Sequence, residues 1–558
     1  MRSPARVLIL LILGTQLPFL FQAFHIDDRI YLRVADNILQ TPLYPYDFRI
    51  SFEGMGAPDG ASHSHLPLVS YYLALLKWVT NSESEWVYHL GFLVFPLLAA
   101  WGFHDLARRY VRFPLAASCL LVTAPGFLAS SHTVMTDVPF WSLWIVALSR
   151  FLRVRDGIAS RRDWLIWGAS LLGTCFISVL GAGLMLLMLV CLFLRESGAP
   201  RISRGKALLV LASPLLLWGL WYLRAYLHYD RFLLLNTALH ALGRDIYSGW
   251  IMGEKTLSLL LNLGGTVLFP LALWYGLADR IGARVLAVLF LLSIVPFYVW
   301  REDWTWSQAF LFSLFLTSGV AVFWRFLAGF GTDLLSRRDW RWLPVWLWFF
   351  GGCLACLLMY YSGSVRYSTL VAGPVILLWI ATLEKRVKEA FLLRNLVWLG
   401  VVLTAAYSLS IAHADYRFAR SYQRAAQEIA QDYGHEGKTL WFTAEWGFRH
   451  YLEREGARIL ERTEVGPKTG DILVKPVLAS PWVTLYDSDE YLDLLEQRPA
   501  LMNTPWRILD PSSHAGFYST GWGILPVSIT GGKPWEWFNI FRVKKSYDGP
   551  VPEPATHW

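Results

Sequence analysis

Long apolar runs follow one another from residue 6 to about residue 412, broken by short polar or basic stretches, and then they stop. A hydrocarbon layer of about 30 Å takes roughly 20 helical residues to cross, so runs of this length predict membrane spans. They fall at about 6–24, 86–107, 114–131, 136–152, 163–179, 180–194, 207–226, 256–277, 284–300, 306–327, 342–361, 367–383 and 394–412, about thirteen in all. The first run has a basic flank like a signal peptide, but no small-residue cleavage site follows it. It is therefore read as a retained span with its N-terminus in the cytoplasm.

Between the first two spans the pattern changes. Ile26, Ile30, Val34 and Ile38 recur every four residues, which predicts a short amphipathic helix over 27–40 lying on the bilayer, with Asp27 and Asp28 at its N-terminus. Two roles are open to the acids there. Asp is a preferred N-cap, so either one could simply cap the helix; a carboxylate at a helix N-terminus is also kept ionised, as a catalytic base must be. A turn-rich stretch, 41–65, leads to a second interfacial helix over 67–80. In it Leu68, Tyr71, Tyr72, Leu75, Leu76 and Val79 share a face, and about 14 residues are too few to span. Residues 25–85 thus form a first outer loop with two interfacial helices.

Charge orients the spans. Arg108, Arg109 and Arg112, the cluster Arg150 to Arg162, Arg195 to Lys206, Arg280 and Arg284, Arg337 to Arg341, and Lys385 to Lys388 all fall on alternate loops, as cytoplasmic loops should. An odd number of spans then puts residues 413–558 outside. That segment is polar, with a strand expected at 439–444, a helix at 445–456 and strands within 471–485, a small extracytoplasmic α/β domain. Ser513 to Tyr518 is polar and aromatic, fit for a packed turn or a groove wall. The expected architecture is a polytopic α-helical membrane domain, 1–412, followed by that domain.

Composition agrees with this class. The 558 residues are 55% hydrophobic and only 16% charged, against roughly 25% charged in a soluble domain. The net charge of +8 is spread among the loops rather than gathered in one basic domain, which argues against nucleic acid. All five cysteines lie in apolar runs, so no disulfide framework is implied. Cys353 and Cys356 read as two small residues on one face of a span.

Candidate chemistry collects at the outer ends of the spans. Besides Asp27 and Asp28, these are His63 and His65 at the end of the turn-rich stretch, Asp137 opening the fourth span, and Arg366-Tyr367 near the outer end of the twelfth. Any one could be a polar group snorkelling to the interface. Acids, imidazoles and an arginine converging on one face instead offer a base, donors and a phosphate clamp at head-group level.

The acidic pair opening a long first loop, His65-Leu66-Pro67-Leu68, Thr136-Asp137-Val138-Pro139 and Arg366-Tyr367 together resemble the GT-C superfamily. In particular the chain resembles the bacterial relatives of the dolichyl-phosphate-mannose protein mannosyltransferases, glycosyltransferase family 39, which include the lipid A aminoarabinose transferase. The resemblance is best over residues 1 to about 150. It implies transfer of a sugar from a polyprenyl-phosphate carrier to an acceptor hydroxyl (lipid, glycan or protein) outside the cytoplasm, in a bacterial inner membrane. It implies Asp27 as catalytic carboxylate, Asp28 where the family often has Glu, Asp137 as a second acid and Arg366 as binder of the carrier phosphate. The position matched to His65 is Lys in the aminoarabinose transferase, and the loop 227–255 is too short for the β-rich insertion of the eukaryotic enzymes.

The residues suit such a reaction on chemical grounds too. A base must take the acceptor proton and positive charge must stabilise the departing phosphate. Asp27 offers the first; Arg366 offers the second, with Tyr367, His63, His65, Arg29, Arg244 and Arg301 as further binding candidates. One displacement would invert the anomeric configuration. No cofactor is required by the sequence; Asp27, Asp28, His63, His65 and Asp137 are eligible ligands for a divalent metal, without a spacing that demands one. The rival class, a transporter or lipid-linked sugar flippase without chemistry, predicts charges or broken helices near the bilayer midplane and often an internal repeat; here the spans are nearly free of central charges, no repeat is seen, and the polar residues collect at the outer boundary.

Overall fold

A computed structural model describes residues 3–50, 66–194, 203–230, 233, 247–277, 280–300, 303–332, 339–360, 362–434, 438–460, 466–479, 490–530 and 532–546. Among the described residues, six helices are long and apolar enough to cross a membrane: Glu85–Ala107, Arg204–Tyr229, Trp306–Thr332, Trp340–Leu358, Val365–Arg386 and Ala390–Tyr433. The bent pair Gly249–Gly265 and Pro270–Leu277 makes a seventh if counted as one span. Five shorter apolar helices accompany them, so among the described residues length and composition give six or seven full spans.

The differences from the periodicity have local causes. The run read as one span over 256–277 bends by 84° between its two helices. Pro270 opens the second helix, and the residue before a proline is driven out of the helical region. The same rule breaks 114–131 at Ala124, whose ψ of 134° precedes Pro125 and separates Pro114–Thr123 from Pro125–Ser130. The last run goes the other way. Its helix, Ala390–Tyr433, is 44 residues long, about 66 Å at 1.5 Å per residue and twice a bilayer's hydrocarbon thickness. Beyond residue 412 it continues as an amphipathic rod burying Ala414, Asp415, Phe418, Ala419, Tyr422, Ala425, Ala426 and Ile429. The boundary read at 413 therefore falls inside a continuous helix.

Both interfacial helices form where the pattern puts them. The first, Asp28–Gln40, buries Tyr31, Leu32, Val34, Ala35 and Ile38. The second, Leu68–Thr80, turns Val69, Ser70, Leu73 and Ala74 inward. Leu75, Trp78 and Val79 stay 50%, 73% and 67% exposed, so these three apolar residues face outward, where lipid would cover them.

The C-terminal region builds a five-stranded sheet on the end of the long helix. The strands are β1 (Leu440–Phe442), β2 (Arg458–Ile459), β3 (Ile472–Pro476), β4 (Leu492–Ala500), the short pairs β5 (Trp506–Arg507) with β8 (Ser528–Ile529) and β6 (Leu509–Asp510) with β7 (Ala515–Gly516), and β9 (Glu536–Val543). The sheet order is β2-β1-β3-β9-β4, parallel through β2-β1-β3 and antiparallel at β9. A helix, Trp446–Arg454, crosses from β1 to β2. Residues 480–485 of the expected strands lie outside the described residues. Tyr422 of the long helix donates to Glu536 of β9 at 2.8 Å, and Glu536 also accepts from the backbone N–H groups of Val477, Leu478 and Ala479. The sheet is thereby tied to the rod.

Candidate functional site

Three charged residues from distant parts of the chain meet at one guanidinium. Arg366 lies in a short helix, Val365–Ser368, started by Ser364, whose hydroxyl accepts from the Arg366 backbone N–H at 3.2 Å. Its Nη1 donates to Asp27 Oδ2 at 3.0 Å and stands 3.9 Å from Asp137 Oδ2. Arg366 is only 8% exposed, and its Nε–H is buried without a hydrogen-bond partner. Tyr367 and Tyr518 flank the guanidinium with ring centroids at 5.5 and 5.8 Å, and Tyr367 stacks on Tyr360 at 3.5 Å.

The two candidate acids of the first loop part company. Asp27 occupies the N-cap position but makes no side-chain capping bond. The turn before it places Ile26 at φ 50°, a left-handed conformation costly for a β-branched residue. Its carboxylate is 29% exposed, so it pairs with Arg366 while keeping access to solvent. Asp28 is fully buried, and its carboxylate accepts from the backbone N–H of His25 at 3.0 Å and of Val134 at 2.9 Å. It fastens the first loop to the segment that leads into Asp137; it does not reach the Arg366 cluster.

Behind Asp28 runs a buried polar chain that the sequence did not suggest. His25 Nε2 lies 3.2 Å from Asp415 Oδ1 and 3.0 Å from the Tyr518 hydroxyl, while Tyr518 donates to Asp415 at 2.8 Å and Gln22 to its other oxygen at 3.0 Å. Burial alone would lower the pKa of His25, but the carboxylates of Asp415 and Asp28 outweigh it and raise the imidazole to about 10. A histidine caged by two acids is thus a buried cation. Tyr31, the other missed residue, shares a 3.3 Å hydroxyl contact with Thr136 beside Asp137. Tyr518 belongs to the aromatic stretch that read as a turn or a groove wall. It is both packed and placed: the Phe517 carbonyl accepts from Val365 N–H at 2.9 Å, so the C-terminal region holds the Arg366 helix directly.

Arg29 goes elsewhere. Its guanidinium grips Glu453 of the C-terminal helix through Nε at 3.0 Å and Nη2 at 2.7 Å, away from Asp27. His63, His65, Arg244 and Arg301 lie outside the described residues. Asp27 and Asp137 both face the Arg366 guanidinium, and their oxygens are of the hard kind that Mg²⁺, Mn²⁺ or Ca²⁺ take. Among the described residues no group of three His, Cys, Asp or Glu converges to hold an ion; His65, the third ligand considered, is not among them. All five cysteines are free and buried.

No protein-family model matches the chain, and no curated protein matches it. Solved structures do. The apo oligosaccharyltransferase of Archaeoglobus fulgidus superposes with a TM-score of 0.50 at 13% identity, over 82% of this chain and 64% of that one. ArnT from Cupriavidus metallidurans bound to undecaprenyl phosphate is similar over 87% of this chain and 95% of its own, at 14% identity and a TM-score of 0.41. The arabinofuranosyltransferase AftD from Mycobacteria follows over 98% and 40%, at 12% identity and 0.41. The chain spans about 64% of the length of the oligosaccharyltransferase. Apolar helices continued into a sheet domain, together with the first of these likenesses, give the chain the fold of that oligosaccharyltransferase.

Proposed function

We propose that this protein is an inverting glycosyltransferase that moves a sugar from a polyprenyl-phosphate carrier to an acceptor hydroxyl on the extracytoplasmic side of a bacterial inner membrane. The observation that carries the proposal is the meeting of Asp27, Asp137 and a buried Arg366 at the ends of apolar helices. Charges held at such a level without function are costly. A guanidinium with a buried, unpartnered Nε–H is suited to the oxygens of a phosphodiester, which it can bind by two N–H groups at once.

In the reaction the acceptor oxygen attacks the anomeric carbon, its proton passes to the Asp27 carboxylate, and the bond from carbon to phosphate oxygen breaks with its electrons retained by the carrier phosphate. Arg366 stabilises that growing charge, and once it turns to the phosphate it releases Asp27 to act as base. A bound phosphodiester adds a negative charge beside two acids and a single guanidinium, so further positive charge would favour its binding. Arg244, Arg301, or a divalent cation on Asp27, Asp137 and His65 would supply it. Tyr367 and Tyr518 flank the guanidinium and limit its swing.

The test is mass spectrometry of lipid-linked sugars and envelope glycans from cells with and without the protein. The expected result is a lipid-linked sugar that accumulates, and an envelope glycan or lipid that loses one sugar, when the protein is absent. Identical profiles in both strains would remove the proposed activity.

A further inference from the structure

A second cavity lies between the first interfacial helix, the second, and the C-terminal helix Trp446–Arg454, and none of Asp27, Asp137 and Arg366 lines it. Its volume is about 440 Å³. Six cationic side chains line it, Arg29, Arg33, Arg49, Lys77, Arg449 and Arg454, against three carboxylates, Asp36, Glu83 and Glu453.

The carboxylates are already committed. Glu453 is shared by Arg29 and Arg449, the latter through Nε at 3.0 Å, and Arg449 also reaches Glu445 at 3.0 Å. Asp36 accepts from Lys77 at 2.6 Å, and Glu83 from the same ammonium. Arg33, Arg49 and Arg454 have no carboxylate partner among the described residues, and all three are exposed; Arg33 lies over the Phe48 ring at 5.6 Å. The wall holds one further unpaired group, His450, whose Nε2 is buried without a hydrogen-bond partner. Burial, with Arg454 and Arg29 beside it, pushes the His450 imidazole down to about 4, so it is a neutral donor or acceptor in a positive surround.

A concave site with surplus arginines and a spare buried ring nitrogen has the chemistry of an oxyanion receptor. We infer that this cavity binds a phosphate-bearing group, as a site separate from the Arg366 cluster. The anion could be carried by a lipid head group or by a soluble or glycan-linked phosphate; the oxygens it presents to Arg33, Arg49 and Arg454 are the same.

The experiment uses the full-length protein in phosphatidylcholine nanodiscs, titrated with inorganic phosphate by calorimetry at low ionic strength. Wild type is expected to bind with an affinity that falls as salt rises. The double variant Arg33→Gln/Arg454→Gln, altered at two exposed positions, is expected to bind at least about tenfold more weakly, the loss of one or two charge-assisted hydrogen bonds. Arg366→Ala should leave this binding unchanged. Repeating the titration in nanodiscs containing phosphatidylglycerol assigns the source. Competition by the lipid points to a head group and its absence to a soluble or glycan phosphate; either outcome supports the site. No phosphate binding by wild type, equal binding by the double variant, or binding abolished by Arg366→Ala alone would overturn it, and none of these results depends on whether sugar transfer occurs.

Discussion

At the scale of single residues the two roles first open to Asp27 now make different predictions. It makes no capping bond, so Asp27→Asn should leave the helix intact while removing the proposed base. Single-turnover sugar transfer is expected to fall by about 10²- to 10⁴-fold, and near-normal transfer by a well-folded variant would exclude Asp27 as the base. Arg366→Lys keeps a charge but loses the planar fork, and should weaken donor binding by about 1.5–3 kcal/mol in a lipid-donor binding assay; unchanged affinity would take Arg366 out of the site. His25 carries a pH signature of its own. Its folded pKa is raised to about 10 from an ordinary 6.5, so its stabilising contribution is complete below about pH 6.5 and is lost as pH rises through 10. Thermal unfolding of the purified protein should therefore move to lower temperature between neutral and strongly alkaline pH, and His25→Gln, which leaves two buried acids without their cation, should cost about 3 kcal/mol at neutral pH and flatten that slope. An equally steep slope in the variant would assign the effect to other groups. Asp27, Asp137 and Arg366 could be found from sequence because each is a charge where an apolar run should end. His25, Asp415 and Tyr518 could not: what joins them is a set of partners far apart along the chain, and Asp415 sits 390 residues from His25. Nor could sequence separate Asp28 from its neighbour, since what distinguishes them is the backbone N–H of Val134.

At the scale of elements, apolar periodicity gave the existence of nearly every helix and failed mainly at their ends. The breaks before Pro125 and Pro270 follow from a local steric rule that the length of an apolar run conceals. The long helix defeated the pattern differently: its apolar composition ends near residue 412, but a helix needs only one buried face, and Ala414, Phe418, Tyr422 and Ala425 supply it. Close packing between helices was also hidden. Any side chain at Gly264 would collide with the Phe315 carbonyl, and any at Gly319 with the Leu260 carbonyl, so the Gly249–Gly265 and Trp306–Gly329 helices touch backbone to backbone. Small residues allow this approach inside membranes, where dispersion contacts carry most of the association. Gly319→Leu should force the pair apart and cost about 1–3 kcal/mol or more, whereas Gly351→Ala, with open space around it, should be neutral. Unfolding in detergent followed by near-ultraviolet circular dichroism would compare them, and equal stability of both variants would refute the close contact.

At the scale of the whole molecule, the first loop and the C-terminal domain must lie on the same side of the membrane, because they are bonded to each other. Arg29 reaches Glu453 across 424 residues of sequence, the Tyr451 hydroxyl accepts from the Phe24 backbone N–H at 2.9 Å, and Tyr518 closes the His25 network. No periodicity or composition reports a contact between the two ends of a chain, so the sequence could place both outside only by counting spans. The structure makes the conclusion independent of that count; among the described residues six helices, or seven with the bent pair, are long and apolar enough to cross. That this side is the outer one is part of the proposal, supported by the loop charges: Arg150 and Arg153 meet Asp105 and Asp163 at the opposite end of the helices from Asp137, and basic loops favour the cytoplasm. Alkaline phosphatase, active only after export, should therefore be active when fused at Gly470, a half-buried turn position at φ 93° between secondary-structure elements, and inactive when fused at Gly157, the turn at φ 72° that follows the Asp137–Arg155 helix. An inactive fusion at Gly470 together with an active one at Gly157 would put Asp27 and Arg366 in the cytoplasm, where a carrier sugar exposed to the outside could not reach them.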